Sequence, residues 1–183
     1  SVGKLVPRVR HTALLLYAIY LALTILEVGF LLAGGMPLFD SLVHAFGTAG
    51  TGGFAIKNAS IAAYNSPYLE WVIGVFMLLF GVNFNLYFLL LMRDFKQVLK
   101  SEELRIYLLI VAGSVGMITL NILPIVGGAE TAFREAFFQV SSIITTTGYA
   151  TADYTIWPTF SQTVLFLLMV TGACGGSTGG GLK

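Results

Sequence analysis

The chain has 183 residues, of which 56% are hydrophobic and only 10% charged, with a mean hydropathy of +0.85; a soluble domain of this size would lack the polar surface to cover itself, so the sequence is that of a membrane protein. A net charge of +1 argues against a nucleic-acid partner, and a single cysteine, Cys174, excludes an internal disulfide and a multi-cysteine metal site. No nucleophile-plus-base set, phosphate loop or dinucleotide fingerprint is visible, so the sequence points to no enzyme and no cofactor.

In chain order, Lys4, Arg8, Arg10 and His11 precede an apolar run over residues 12–33, broken by Thr24 and Glu27. The run is long enough to span a bilayer, so it reads as a helix and not as a cleavable signal peptide. Its basic start puts it on the cytoplasmic side. Gly34, Gly35 and Pro37 end the helix, and residues 39–49 form a short helix with Asp40 near its N-terminus, where a carboxylate suits the helix dipole. A loop over 50–55 follows, then a polar, turn-rich linker over 57–67. A second spanning run over 69–93 closes on Arg93, Asp94, Lys96 and Lys100 and returns the chain to the basic side.

The same order then recurs: a spanning helix over 104–125, a turn at Gly127 and Gly128, a short helix over 130–144, a loop over 145–150, and the start of a spanning helix over 159–173. The chain divides into two units, 1–100 and 101–183. A shift of 95 positions superposes Asp40 on Glu135, His44 on Gln139, Thr51 on Thr146, Gly53 on Gly148, Phe54 on Tyr149 and Gly81 on Gly176. An internal repeat ties the two loops to one place in two copies of one unit. Eight of the ten basic residues lie on the inferred cytoplasmic side, Lys57 and Arg134 being the exceptions, so charge and repeat give the same topology.

The short helices are too brief to cross a bilayer, and non-helical backbone at membrane depth must be buried in protein or line a water-filled cavity. The loops Thr51-Gly52-Gly53-Phe54 and Thr146-Thr147-Gly148-Tyr149 therefore read as pore lining. A dehydrated cation needs oxygens in place of its hydration shell, and backbone carbonyls supply them where glycine lets the chain turn them inward. Threonine adds a hydroxyl, and the aromatic is an anchor outside the pore. Potassium coordination is expected at Thr51, Gly52, Gly53, Thr146, Thr147 and Gly148. The glycines clustered from Gly172 to Gly181 cannot hold a helix, since each costs about 1 kcal/mol against alanine.

The tandem order of helix, pore helix, Gly-Phe or Gly-Tyr loop and helix, with the run Gly175-Gly176-Ser177-Thr178-Gly179-Gly180-Gly181-Leu182-Lys183, resembles the Trk/Ktr/HKT superfamily of potassium transporters, most of all its bacterial Trk membrane subunits. The resemblance covers essentially the whole chain. It implies an all-α integral membrane fold of tandem parallel helix–pore-helix–loop–helix repeats of the potassium-channel type around a pseudo-fourfold pore, this chain matching the second and third of four repeats. By the same resemblance, Gly53 and Gly148 are filter glycines. Gly172, Gly175, Gly176, Ser177, Thr178, Gly179, Gly180 and Gly181 form an unwound gate below the filter. The protein is expected to be a homodimer in the bacterial inner membrane, with a nucleotide-binding regulatory subunit on its cytoplasmic face. The first residue is not Met and the last lies in the glycine run, so the chain is expected to be part of a longer protein.

Other readings stay open. A sodium-permeable or weakly selective member of the superfamily differs only in unseen loops, and a secondary transporter with broken helices also carries glycine interruptions, although its repeats are usually inverted. A non-conducting scaffold or sensor is a third. Glu27, ionisable within a span, is a functional candidate or a structural hydrogen-bonding group to the neighbouring short helix. Arg134 snorkels or pairs with Glu130 or Glu135, and Asn83 and Asn85 read as interhelical glue.

Overall fold

The computed structural model describes residues 2–50, 64–149, 151 and 154–172, the side chains of residues 2–8 excepted. The first loop, Thr51 to Phe54, and the glycine run from Gly175 to Gly181 lie outside the described residues. Among those described, the regular elements are helices: α1 (Val2–Ala33), α2 (Leu38–Ala49), α3 (Pro67–Phe80), α4 (Phe84–Leu91), α5 (Phe95–Leu99), α6 (Glu102–Val126), α7 (Ala129–Ile144) and α8 (Thr159–Thr171), with a 3-10 turn at Tyr154–Ile156.

Helix limits follow local chemistry. Ser66 caps α3, its hydroxyl accepting the Leu69 N–H at 3.4 Å, with Pro67 in the first turn, where its missing N–H costs nothing. Ser101 caps α6 in the same way through Leu104, at 3.3 Å, ahead of Glu102 and Glu103. That helix ends at Gly127, whose φ of 81° is the left-handed conformation glycine adopts without penalty. Gly35, at φ 87°, makes the turn from α1 into α2.

Within α1 and α6, Val9–Ala33 and Glu102–Val126 have mean hydropathies of 2.2 and 2.1 and are long and apolar enough to cross a membrane. Their outward faces carry Tyr17, Ile25, Leu109 and Leu120, each about 70% exposed, as a lipid-facing surface would. The long N-terminal helix corrects the expected start at residue 12: helical backbone continues through the basic segment to Val2.

A larger correction concerns the run over 69–93. It is not one helix. α3 and α4 are bent by 89° at a break over Gly81, Val82 and Asn83, and together they give a third candidate span. Asn83 is extended (φ −61°, ψ 120°) and its side-chain oxygen accepts the Asn85 N–H at 3.0 Å, starting a new helix. Carbonyls at the end of α3 are met from outside: the Tyr107 hydroxyl donates to Leu78 O at 3.1 Å, and the Tyr87 hydroxyl donates to Leu79 O. A broken helix at membrane depth survives only when such partners re-satisfy its backbone.

The second unit packs α6, α7 and α8 around Ile118, Ile122, Ala136, Val140 and Leu165. Asn121 on α6 accepts the Ser161 hydroxyl of α8 at 2.6 Å. In the first unit, Leu31, Met36, Leu69, Ile73 and Met77 form a core that also takes Phe138 and Tyr149 from the second. Across that junction α3 lies along α7. Trp71 packs on Phe137 with ring centres 4.9 Å apart, and a methyl group added at Gly74 would stand 2.6 Å from the Phe137 ring. The Arg134 guanidinium on α7 pairs with Glu70 of α3 at 2.5 Å and with Glu130, one turn back, at 2.6 Å.

Candidate functional site

The short helix α2 is inverted relative to a helix in water. Ser41, His44 and Thr48 are buried on its inner face, whereas Phe39 and Phe46 are exposed. α7 likewise buries polar side chains, Gln139, Ser141 and Ser142, alongside Phe138, Val140, Ile143 and Ile144. His44 and Gln139, which the 95-residue shift superposes, are both completely or almost completely buried. Polar side chains held inward at membrane depth are the surroundings a polar loop needs.

The described loop begins where α7 ends, at the C-cap Thr145, so the partial negative charge of the helix terminus falls on it. Gly50 caps α2 at the corresponding place, directly before Thr51. Over residues 145–149 burial alternates: Thr145, Thr147 and Tyr149 are buried, Thr146 and Gly148 exposed. Gly148 has φ 89° and open space where a side chain would stand; Thr146 holds φ 59° without being glycine. The exposed positions Thr146 and Gly148 are thus held between residues anchored behind them.

The anchors are specific. Thr145 and Thr147 share a hydroxyl–hydroxyl hydrogen bond of 2.9 Å, and the Thr145 hydroxyl reaches Ser141 O at 2.6 Å. Backbone N–H groups of Thr147 and Gly148 both turn back to Ser142 O, at 2.9 and 3.4 Å. The Ser142 hydroxyl donates to the Tyr149 carbonyl at 2.6 Å, so that oxygen is turned into the protein and Tyr149 serves the loop as an anchor. Among the described residues no donor meets the carbonyls of Thr147 and Gly148.

Tyr149 reaches into the other unit. Its ring lies 5.6 Å from that of His44, and its hydroxyl donates to the His44 carbonyl at 3.2 Å. His44 is in turn fixed by Nδ1 on the Asp40 carbonyl at 2.7 Å and by the edge of Tyr64, whose hydroxyl donates to the Asp40 carboxylate at 2.8 Å. Its Nε2 is buried with no partner among the described residues.

Behind this assembly sits Glu27. It is fully buried on the α1 face that also carries Thr24 and Leu31, and neither carboxyl oxygen has a hydrogen-bond partner among the described residues. The Thr48 hydroxyl faces it but donates to the His44 carbonyl at 2.7 Å. Sequence reasoning singled out Glu27 for being ionisable within a span; its place behind the filter-like loop depends on tertiary packing. It missed the cross-unit contact of Tyr149 with His44, for which sequence offers only the common polar position of His44 and Gln139.

Of the expected site residues, Thr146, Thr147, Gly148 and Tyr149 come together on one short strip, and Gly172 ends α8 with φ 72°. Thr51, Gly52, Gly53, Phe54, Gly175, Gly176, Ser177, Thr178, Gly179, Gly180 and Gly181 lie outside the described residues. No group of three or more histidine, cysteine or carboxylate side chains able to hold a metal occurs among the described residues.

Comparison with known proteins is uniform in direction. The family model described as TrkH, cation transport protein, matches residues 2–183. The Trk system potassium uptake protein TrkH of Salmonella typhimurium is 38% identical over 184 residues, covering 99% of this chain and 38% of that protein. TrkG of Escherichia coli K12, also named a Trk system potassium uptake protein, is 37% identical over 98% of the chain and 38% of its own length. The crystal structure of the potassium transporter TrkH from Vibrio parahaemolyticus superposes with a TM-score of 0.89 at 34% identity, covering 96% of this chain and 38% of that one. The chain therefore spans a little over a third of the length of the relatives it matches.

Proposed function

This chain belongs to the TrkH family of cation transport proteins, a multi-pass, all-helical membrane family, and on that footing we propose that it supplies two pore-lining repeats of a potassium-translocating membrane subunit. The proposed activity is transport, with no catalytic residue and no cofactor. Potassium is the cargo.

The observation that supports this reading is the strip over residues 146–148: Thr146 and Gly148 are exposed, no donor among the described residues meets the carbonyls of Thr147 and Gly148, and Thr145, Thr147 and Tyr149 are anchored behind. Such a strip can exchange the water around a potassium ion for peptide oxygens. Thr51, Gly52 and Gly53 would supply the equivalent oxygens from the first repeat, with Phe54 anchoring as Tyr149 does. The helix ends at Gly50 and Thr145 would turn partial negative charge toward the cation. Two further repeats, absent from this chain, would complete a pseudo-fourfold filter. The run from Gly172 to Gly181 is proposed as the gate below it. Assembly as a homodimer in the bacterial inner membrane, with a cytoplasmic nucleotide-binding regulatory subunit, is part of the proposal and rests on the family resemblance.

Gly148→Ser in the full-length protein tests the filter. Relative potassium and sodium fluxes are measured in cells lacking other uptake systems, or in proteoliposomes. Reduced discrimination supports the assignment; an unchanged ratio at a normal protein level removes Gly148 from the filter.

A further inference from the structure

We infer that Gly81 and Tyr107 are positioning residues for the second filter loop, and that the broken span of the first repeat bears on ion selectivity through them. The inference rests on the filter reading above and extends it to residues outside the loop.

Three observations converge on the break between α3 and α4. Gly81, at the bend, is in contact with the second repeat: a methyl group added there would lie 2.4 Å from the Tyr107 hydroxyl and 2.9 Å from the Thr145 side-chain methyl, closer than carbon atoms tolerate. Tyr107, Thr145 and Thr147 are all buried, so none can retreat into open space. Thr145 in turn holds Thr147 through their hydroxyls at 2.9 Å, and Thr147 belongs to the proposed filter. The path from the bend to the loop is therefore Gly81, Thr145, Thr147, each step a direct contact.

Tyr107 fixes the other side. Its hydroxyl donates to Leu78 O at 3.1 Å, one turn before the bend, and so ties α6 of the second repeat to the end of α3. A shift in the bend angle moves Gly81 against Thr145 while pulling on this bond. Packing of this kind is close to incompressible, so displacement at one end reaches the other. In the 95-residue register Gly81 takes the place that Gly176 occupies inside the glycine run of the second repeat. In the first repeat that glycine stands against Thr145, the residue at the head of the second loop.

The test uses the full-length transporter, with fluxes normalised to membrane protein level. Gly81→Ala is expected to lower potassium-over-sodium discrimination by roughly three- to tenfold. Adding Tyr107→Phe, which removes the nearer obstacle, is expected to recover at least half of that loss. If Gly81→Ala reaches the membrane normally and discriminates as the parent does, or if Tyr107→Phe gives no relief, the inference is overturned. Should Gly81→Ala fail to reach the membrane, Tyr107→Phe alone decides: it keeps every carbon and removes the hydroxyl that donates to Leu78 O. A change of about twofold or more in the ratio supports the inference, and no change overturns it. Gly148→Ser, run in parallel, separates the two claims. If it also leaves the ratio unaltered, the filter assignment has failed; if it lowers the ratio while Gly81→Ala does not, only the role of the bend has.

Discussion

The Tyr149 hydroxyl and the His44 carbonyl, 105 residues apart in sequence, are joined by a buried hydrogen bond of 3.2 Å. The aromatic residue of the second loop is thereby fastened to the short helix that precedes the first. Tyr149→Phe keeps the ring against His44 and removes only this bond. An intramolecular hydrogen bond contributes about 1 kcal/mol net, and the His44 carbonyl keeps the Thr48 hydroxyl at 2.7 Å, so its loss strands no acceptor. The variant is expected to melt at a lower temperature in detergent while keeping most of its potassium preference, read by fluorescence-detected gel filtration and by flux.

Gly148→Ala separates backbone strain from bulk. Among the described residues nothing lies within 4 Å of the added methyl, so the added bulk meets none of them. The φ of 89° remains, and a residue with a Cβ pays roughly 1–2 kcal/mol to hold left-handed backbone. Selectivity is expected to fall because the loop relaxes toward a different φ. A variant that retains parental relative permeability and stability would show that this backbone conformation is not needed.

The pair of Arg134 with Glu70 joins α7 to α3 across the two units, at 2.5 Å, with side chains only 15% and 11% exposed. Removing one partner of a shielded pair strands the other. Glu70→Gln is expected to destabilise the protein by about 1–3 kcal/mol, measured as the shift in thermal midpoint, whereas Glu130→Gln, on the 64% exposed partner, is expected to cost less than 1 kcal/mol.

Glu27 offers a contrast of shape and charge. Glu27→Gln preserves volume and polarity in a fully buried position, so transport is expected to persist within about a factor of three. Glu27→Lys places an ammonium group behind the proposed filter without a counter-charge, at a cost of several kcal/mol, and is expected to abolish accumulation or uptake. Immunoblots of membranes beside uptake rates distinguish loss of protein from loss of transport.

Shortening the run Gly175–Gly181 by three or four residues in the full-length protein is expected to raise potassium flux if this segment obstructs the pore, as proposed. Unaltered flux with a normal amount of protein would reduce the run to a packing element.

Where the chain names its own helix ends, sequence was a good guide. Gly127 and Gly128 end α6 as expected, because capping is a local property of a few neighbouring residues, while its start at Glu102, behind Ser101, lies two residues before the expected one. The bend at Gly81 was hidden by the same logic: hydropathy stays high through Val82 and Phe84, and a sum over a window carries no direction. Its determinants, the hydroxyls of Tyr87 and Tyr107, come from α4 and from the next unit. That residues 146–149 follow the short helix as non-helical backbone was legible from glycine, threonine and the 95-residue repeat. Their anchoring was not, since Ser142, His44 and Thr145 gain their roles only once α2 and α7 have been brought together.

The fastening of Tyr149 to α2 also has a direction in time. A polypeptide enters the bilayer from its N-terminus, so α2 with its His44 carbonyl is delivered before the loop that will dock on it. The corresponding residue of the first loop, Phe54, has no hydroxyl with which to make the same bond to a neighbour. Biogenesis can therefore proceed by the second unit latching onto the first already in place, so that this joint is secured without waiting for any later segment.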